Sequence, residues 1–253
     1  MMKFFRNIRQ ALLAEGKTSR YLKYAVGEII LVVIGILIAL QVNNWNTEKN
    51  EQKTIRSLLE AIKQDLKTDI EQTNRTSAFN QKYLDFRKRM LIRTNFDDLP
   101  LDSLTFLLRK RTSLYTMNES AFNKLTSLGI SKPSKNDSLN FKIFRYYTVI
   151  KEHSAQRNDW ERSSEDQESQ VFNKQAMVEL DVKHFDLPEM MDIPSIQDTS
   201  TQRRNIIAAL KSIEVRNMLK YEVFRKISLI KFFENRNEFA EGLILDIDKE
   251  LRN

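Results

Sequence analysis

Hydrophobic positions follow two patterns along this chain. From Ala25 to Val42 the sequence reads AVGEIILVVIGILIALQV, apolar on every face and broken only by Glu28 and Gln41. A bilayer core takes about 20 mostly apolar residues as a helix, so this run predicts a transmembrane span. After Trp45 the apolar residues become periodic. Ile55, Leu59, Ile62, Leu66 and Ile70 recur at helical spacing, the signature of one buried helix face. The face turns polar over Gln72–Ser77 and resumes at Phe79, Tyr83, Phe86 and Met90. With no Gly or Pro between Trp45 and Leu99, this predicts a long helix leaving the membrane. The polar stretch leaves room for a kink or break near 73–78, the helix can continue the anchor without interruption, and Asp97-Asp98-Leu99-Pro100 ends it.

Shorter elements follow. Leu104, Leu107 and Leu108 mark a helix over about 101–112. Asn118 is the expected N-cap of ESAFNKLTSL, with Gly129 as its stop. After ISKPSKND, Asn136 or Asp137 opens a long helix whose stripe runs Leu139, Ile143, Tyr146, Ile150, His153 and Trp160. Residues 161–170, ERSSEDQESQ, carry no apolar side chain; they read as a solvated helical stretch or a break. Segment 181–202, with Pro188 and Pro194, reads as a long loop. A helix from about Gln202 and a final one from about Glu214 complete the chain, the last striped by Leu219, Val223, Ile227, Ile230, Phe233, Ala240, Ile244, Ile247 and Leu251. No segment alternates as a strand does. The expected fold is all-α: residues 1–24 as a short basic segment, 25–44 as the span, and 45–253 as an extracytoplasmic antiparallel bundle with long helices.

Charge sets the orientation. Lys3, Arg6, Arg9, Lys17, Arg20 and Lys23 precede the span, against Lys49, Lys53 and Arg56 in a comparable length after it. The richer side stays in the cytoplasm, which leaves the body on the far side. The run is too long for a cleaved signal core and lacks a small-x-small site, so it reads as a retained signal-anchor. Tyr21 and Tyr24 fall at the inner boundary and Trp45 at the outer one, as interfacial aromatics do. Residues 3–15 place Phe4, Phe5, Ile8 and Leu12 at helical spacing among Lys3, Arg6 and Arg9, an amphipathic piece that seats the anchor on anionic lipid. Glu28 lies about one turn inside the span; it is either an interfacial carboxylate or a contact to another intramembrane helix. Gly35 and Ala39 form a small-xxx-small pair that would let two anchors approach.

Composition removes several function classes. The net charge of +7 looks like a nucleic-acid footprint, yet residues 1–42 carry six Lys/Arg against two acids, and the rest is nearly balanced at 35 against 32. Nucleic acid is therefore not an expected partner. With no cysteine, disulfides, thiolate nucleophiles and Cys-based metal sites are excluded. His153 on its apolar stripe reads as a core imidazole and His184 as a surface one. The acid clusters Asp97-Asp98, Glu165-Asp166-Glu168 and Asp246-x-Asp248-x-Glu250 lack calcium-loop spacing and read as solvated. No catalytic motif, cofactor or metal site emerges. Tyr146 and Tyr147, with residues 119–129, are the one place where a ligand pocket would form between helices; ordinary core packing is the plainer reading.

The block GEIILVVIGILIALQVNNWN, residues 27–46, with FFRNIRQALLAEGKTSRYLKYAVGE before it, resembles the opening of a bacterial family of uncharacterised single-pass membrane proteins, a domain of unknown function. AFNKLTSLGI (121–130), SLNFKIFRYY (138–147) and the closing DIDKEL (246–251) resemble further family segments, on Leu125, Gly129, Tyr146 and Tyr147. The resemblance implies topology and helical content and supplies no activity. The expected role is a membrane-anchored envelope scaffold or protein-interaction module, with a membrane or envelope protein, or a second copy, as partner. The alternative is a ligand-sensing bundle that signals through a membrane partner.

Overall fold

A computed structural model describes residues 18–108, 112–175, 179 and 196–252. Lys3, Arg6, Arg9 and Lys17, the amphipathic stretch 3–15, His184 and most of the 181–202 loop lie outside them, as do the side chains of Arg20, Tyr21 and Tyr24. The described elements are α1 (Thr18–Ile92), α2 (Leu101–Leu108), α3 (Ser120–Ser127), α4 (Asp137–Arg145), a π-helical turn (Tyr146–Ile150), α5 (Lys151–Gln175), α6 (Thr199–Lys211) and α7 (Ile213–Arg252). No strand occurs among the described residues. The fold is all-α.

The chain divides into two compact units between Ser57 and Leu58. The first holds the N-terminal part of α1. Its 18-residue apolar window has a mean hydropathy of 2.6 with none of it buried, so this helix is long and apolar enough to cross a membrane. Ile, Val and Leu side chains from Ile29 to Val42 are all exposed. A helix satisfies every backbone group within the segment, the condition hydrocarbon imposes.

In the second unit α1 keeps one buried line without a break. Leu59, Ile62 and Leu66 are followed by Asp69, Thr73, Asn80, Tyr83 and Arg87, each nearly or fully buried. The spacing is helical throughout; only the chemistry changes. The helix does not break near 73–78, and Phe79, expected on the inner face, is 47% exposed. Helix α1 ends at Ile92, before Asp97-Asp98, and α2 ends at Leu108.

Local signals decide the short helices. Asn136 caps α4, its side chain accepting from the Ser138 and Leu139 amides at 3.0 and 3.3 Å. Gly129 takes φ +71; its amide donates to Thr126 O and the Ile130 amide to Leu125 O. That is a Schellman closure, whose left-handed residue favours glycine. Asn118 does not cap α3: its Oδ1 stands 3.5 Å from the Ser120 amide, and Glu119 holds the N-cap position without a side-chain bond. Carboxylates of α1 serve instead, Asp65 accepting from the Ala121 amide at 2.9 Å and Asp69 from the Asn118 amide at 3.0 Å.

Helices α1 and α7 run antiparallel, as their cross-links show. Lys63 pairs with Asp248, Thr73 meets Asn237, Tyr83 and Arg87 meet Glu222, and Arg216 donates to Leu91 O. At the far end Phe96, Leu104, Leu107, Leu108, Ile206, Leu210 and Leu219 form an apolar cluster. Arg203 closes it by donating to the carbonyls of Phe96, Asp97 and Leu99.

Candidate functional site

The most distinctive feature of the second unit is a buried polar seam between α1, α5, α7 and the irregular segment 112–119. Its first level is Arg87, 1% exposed, whose guanidinium pairs with Glu222 at 2.9 Å and also donates to Leu107 O and Tyr83 Oη. The Tyr83 hydroxyl donates to Glu222 at 2.7 Å. Burial, then the adjacent Glu222 charge, pushes that hydroxyl's pKa far up, so it remains a donor.

The second level joins α5 to α7. Lys226, fully buried, donates to Glu161 at 2.9 Å. Arg225 pairs with Glu168 at 2.5 Å and lies 4.0 Å from Glu161. The acid-rich stretch 161–170 is thus neither broken nor wholly solvated: Glu161, Ser164 and Glu168 are its buried line. That line passes one residue beyond His153, which is exposed and not in the core. The physical reason is the cationic pair on α7, which draws carboxylates inward and leaves the larger side chains at the edge. Ile227, expected inside, is likewise 44% exposed.

The third level is Asp69, Thr73, Arg236 and Asn237. The Thr73 hydroxyl donates to Asn237 Oδ1 at 2.9 Å, and Asn237 Nδ2 donates to Asn74 Oδ1 at 2.9 Å. The Arg236 guanidinium lies 4.3 Å above the Tyr115 ring, a cation–π contact. Asp69 accepts from the Tyr146 hydroxyl at 2.9 Å and the Asn118 amide. Desolvation raises its pKa, against the pull of that amide and of Arg236.

Much of this seam satisfies backbone. Segment 112–119 has no regular secondary structure and packs among helices, with Tyr115 and Met117 buried, so its polar groups need partners. Asn158 grips Tyr115 at two points, accepting from its amide at 3.0 Å and donating to its carbonyl at 2.7 Å. Ser113 donates to Asn80 at 3.1 Å, and Thr112 to Glu165.

Each level balances cation with anion, which suits fixing register. Sliding α7 by one turn, about 5.4 Å, would separate all the partners. Buried ion pairs are weak sources of stability, but breaking one is costly. Among the described residues, no group of three or more His, Asp or Glu side chains is placed to hold a metal ion. The acids at the chain end are partnered: Asp246 with Lys142 at 2.5 Å, Asp248 with Lys63, and Glu250 with Ser134 at 2.6 Å.

The residues singled out in the sequence are placed as follows. Tyr146 and Tyr147 are buried, and their rings meet side chains. Tyr147 stacks on Phe122 at 4.5 Å, Tyr146 meets Tyr147 edge-on at 5.1 Å, and Tyr146 lies parallel to Phe239 at 6.4 Å. Burial raises both hydroxyl pKa values far above the ordinary range. Trp45 is exposed, with Lys49 Nζ 5.1 Å from its ring. Lys23 is exposed and Glu28 half-buried. Gly35 and Ala39 lie in the exposed apolar stretch, and nothing stands within 4 Å of a Cβ placed on Gly35. Sequence reasoning missed the seam itself. Its one visible signal was polar residues at helical spacing in line with the Leu59–Leu66 face.

Residues 28–98 match the sequence model of a family of unknown function, DUF6090. No curated protein and no solved structure matches the chain.

Proposed function

We propose that this is a single-pass membrane protein whose helical body acts as a scaffold or protein-interaction module of the bacterial envelope. The observation that carries the reading is the apolar window of α1, hydropathy 2.6 and wholly unburied. An apolar window of 18 residues left wholly uncovered needs a solvent other than water. The excess of Lys and Arg before the window supports a cytoplasmic N-terminus and an extracytoplasmic body. The seam supports a rigid body in one register, as a scaffold needs, and the filled aromatic contacts of Tyr146 and Tyr147 count against a ligand pocket there.

Because the chain has no cysteine, single cysteines report topology directly. Ser19→Cys and the exposed Ser163→Cys are treated in intact cells with a thiol reagent that cannot cross the inner membrane. The expected result is labelling at 163 alone, with the chain in the membrane fraction. Labelling at 19 alone, or recovery of the chain as soluble protein, overturns the reading.

A further inference from the structure

We infer that α5 is a latch: it swings away from α1 and α7 as one unit, about the π-helical turn Tyr146–Ile150, while the other helices stay packed. The inference concerns the helical body alone and holds on either side of a membrane. Among the described side chains of α5 no apolar one is buried; its inward line is Ser154, Glu161, Ser164 and Glu168. Trp160 and Val171 are only partly covered. The neighbouring helices are held differently. Leu59, Ile62 and Leu66 of α1, Leu139 and Ile143 of α4, and Leu229, Phe233, Leu243 and Ile247 of α7 are all fully or nearly fully buried. Apolar burial is the main force that holds a fold together, whereas a buried ion pair adds little net stability once its desolvation is counted.

The polar contacts that hold α5 are also incomplete. Arg225 Nη1 stops 4.0 Å from Glu161. Glu161 Oε1 and Arg225 Nε and Nη1 are buried without a hydrogen-bond partner. Each carries a desolvation cost while α5 is closed and regains water when α5 leaves. The backbone supplies the hinge. Helix α4, the π-helical turn and α5 follow one another without a loop, and kinks in long helices concentrate at such turns. The turn stands where the inward line changes from apolar to polar. On its near side Tyr146 and Tyr147 are fixed among Phe122 and Phe239, so α4 stays in place. The α1–α7 links Arg87–Glu222 and Thr73–Asn237 do not involve α5 and keep the register of those two helices. Release uncovers Arg225 and Lys226, a cationic strip of α7 that the closed form hides. The open body thus presents a charged surface that the closed body lacks.

The test is native-state hydrogen exchange of the full chain in lipid nanodiscs, read by mass spectrometry at low denaturant concentrations. Amides of 154–168 should share one opening, with protection at least about tenfold lower than that of 59–66 and 233–247. The step should fall within Tyr146–Ile150. A conservative substitution then separates a latch from general weakness. Ile247→Val lies in apolar packing that the open form keeps. It should lower the protection of 59–66 and 233–247 several-fold and leave that of 154–168 unchanged. Because the chain has no cysteine, Ser164→Cys gives a second reading. Its thiol takes a position that is buried in the closed form, and a thiol reagent should modify it at a rate that Ile247→Val does not alter. Equal protection of 154–168 with α1 and α7 overturns the inference. So does a loss of protection in 154–168, or a faster thiol reaction, on Ile247→Val, because α5 would then open only with the rest of the body.

Discussion

The two parts of α1 solve opposite problems with one secondary structure. Between Ala25 and Val42 the helix has apolar side chains on all faces and none is buried. Between Leu58 and Ile92 it sends Asp69, Thr73, Asn80 and Arg87 inward and leaves Phe79 and Ile92 exposed. A helix thus carries no fixed rule about which side chains go inside. What decides is the surroundings: the first part is apolar on every face, as a hydrocarbon medium would require, and the second faces a core whose own polar groups need partners.

The contrast is broken most severely by removing one partner of an inward charge. Lys226→Met leaves Glu161 buried with only Arg225 at 4.0 Å. It should cost about 3–5 kcal/mol in denaturant unfolding of the full chain, and Glu161→Met with Lys226→Met should recover much of that loss. If the double variant is no more stable than the single, the ion pair is not the unit that matters. The next largest effect is in the first part. Ile34→Arg sets a cation in the middle of the apolar run, and at about 2.5–3.5 kcal/mol on insertion scales should lower the fraction resistant to carbonate extraction. The same substitution at exposed Ile92 should leave that fraction unchanged.

Smaller effects sharpen the view of what the body needs. Gly129→Ala meets open space yet must hold φ +71; it should cost about 1 kcal/mol, read as a lower denaturant midpoint. The smallest effect is a slope with pH. At the surface, Lys142 holds the Asp246 carboxyl below the usual carboxylate range, and Lys63 does the same to Asp248. A depressed folded pKa gives stability that is present above the unfolded value near 4 and is lost as pH falls through the folded one. Lys142→Met should flatten the acid limb of a midpoint-against-pH curve. Asp69 acts in the other sense, because burial raises its pKa. Its contribution falls as pH rises from the unfolded to the folded value, so Asp69→Asn should remove a declining component from the same curve.

What was legible in the sequence was whatever short range decides. Gly129 was readable as a stop, and Asn136 as one of two possible helix starts, because their partners lie within five residues. Leu59, Ile62 and Leu66 were readable because apolar residues at helical spacing have one common use. The apolar run and its charged flank were readable for the same reason. The seam was not, because its residues are polar and its partners are far away: Tyr83 meets Glu222 across 139 positions and Thr73 meets Asn237 across 164. Apolar spacing alone therefore passes over Asp69, Thr73 and Asn80, puts His153 inside in place of Ser154, and leaves Glu168 among the solvated acids.

The two-point grip of Asn158 on Tyr115 has a consequence for how the body comes together. The stretch from Ser113 to Asn118 makes no helix of its own, so nothing local favours its bound path. The Tyr115 and Asn118 amides are held only by side chains of α5 and α1. Their deuterium exchange should therefore stay slow until α1 and α5 part, and quicken together when they do. Two amides outside any helix would then serve as clocks for the opening of the whole bundle.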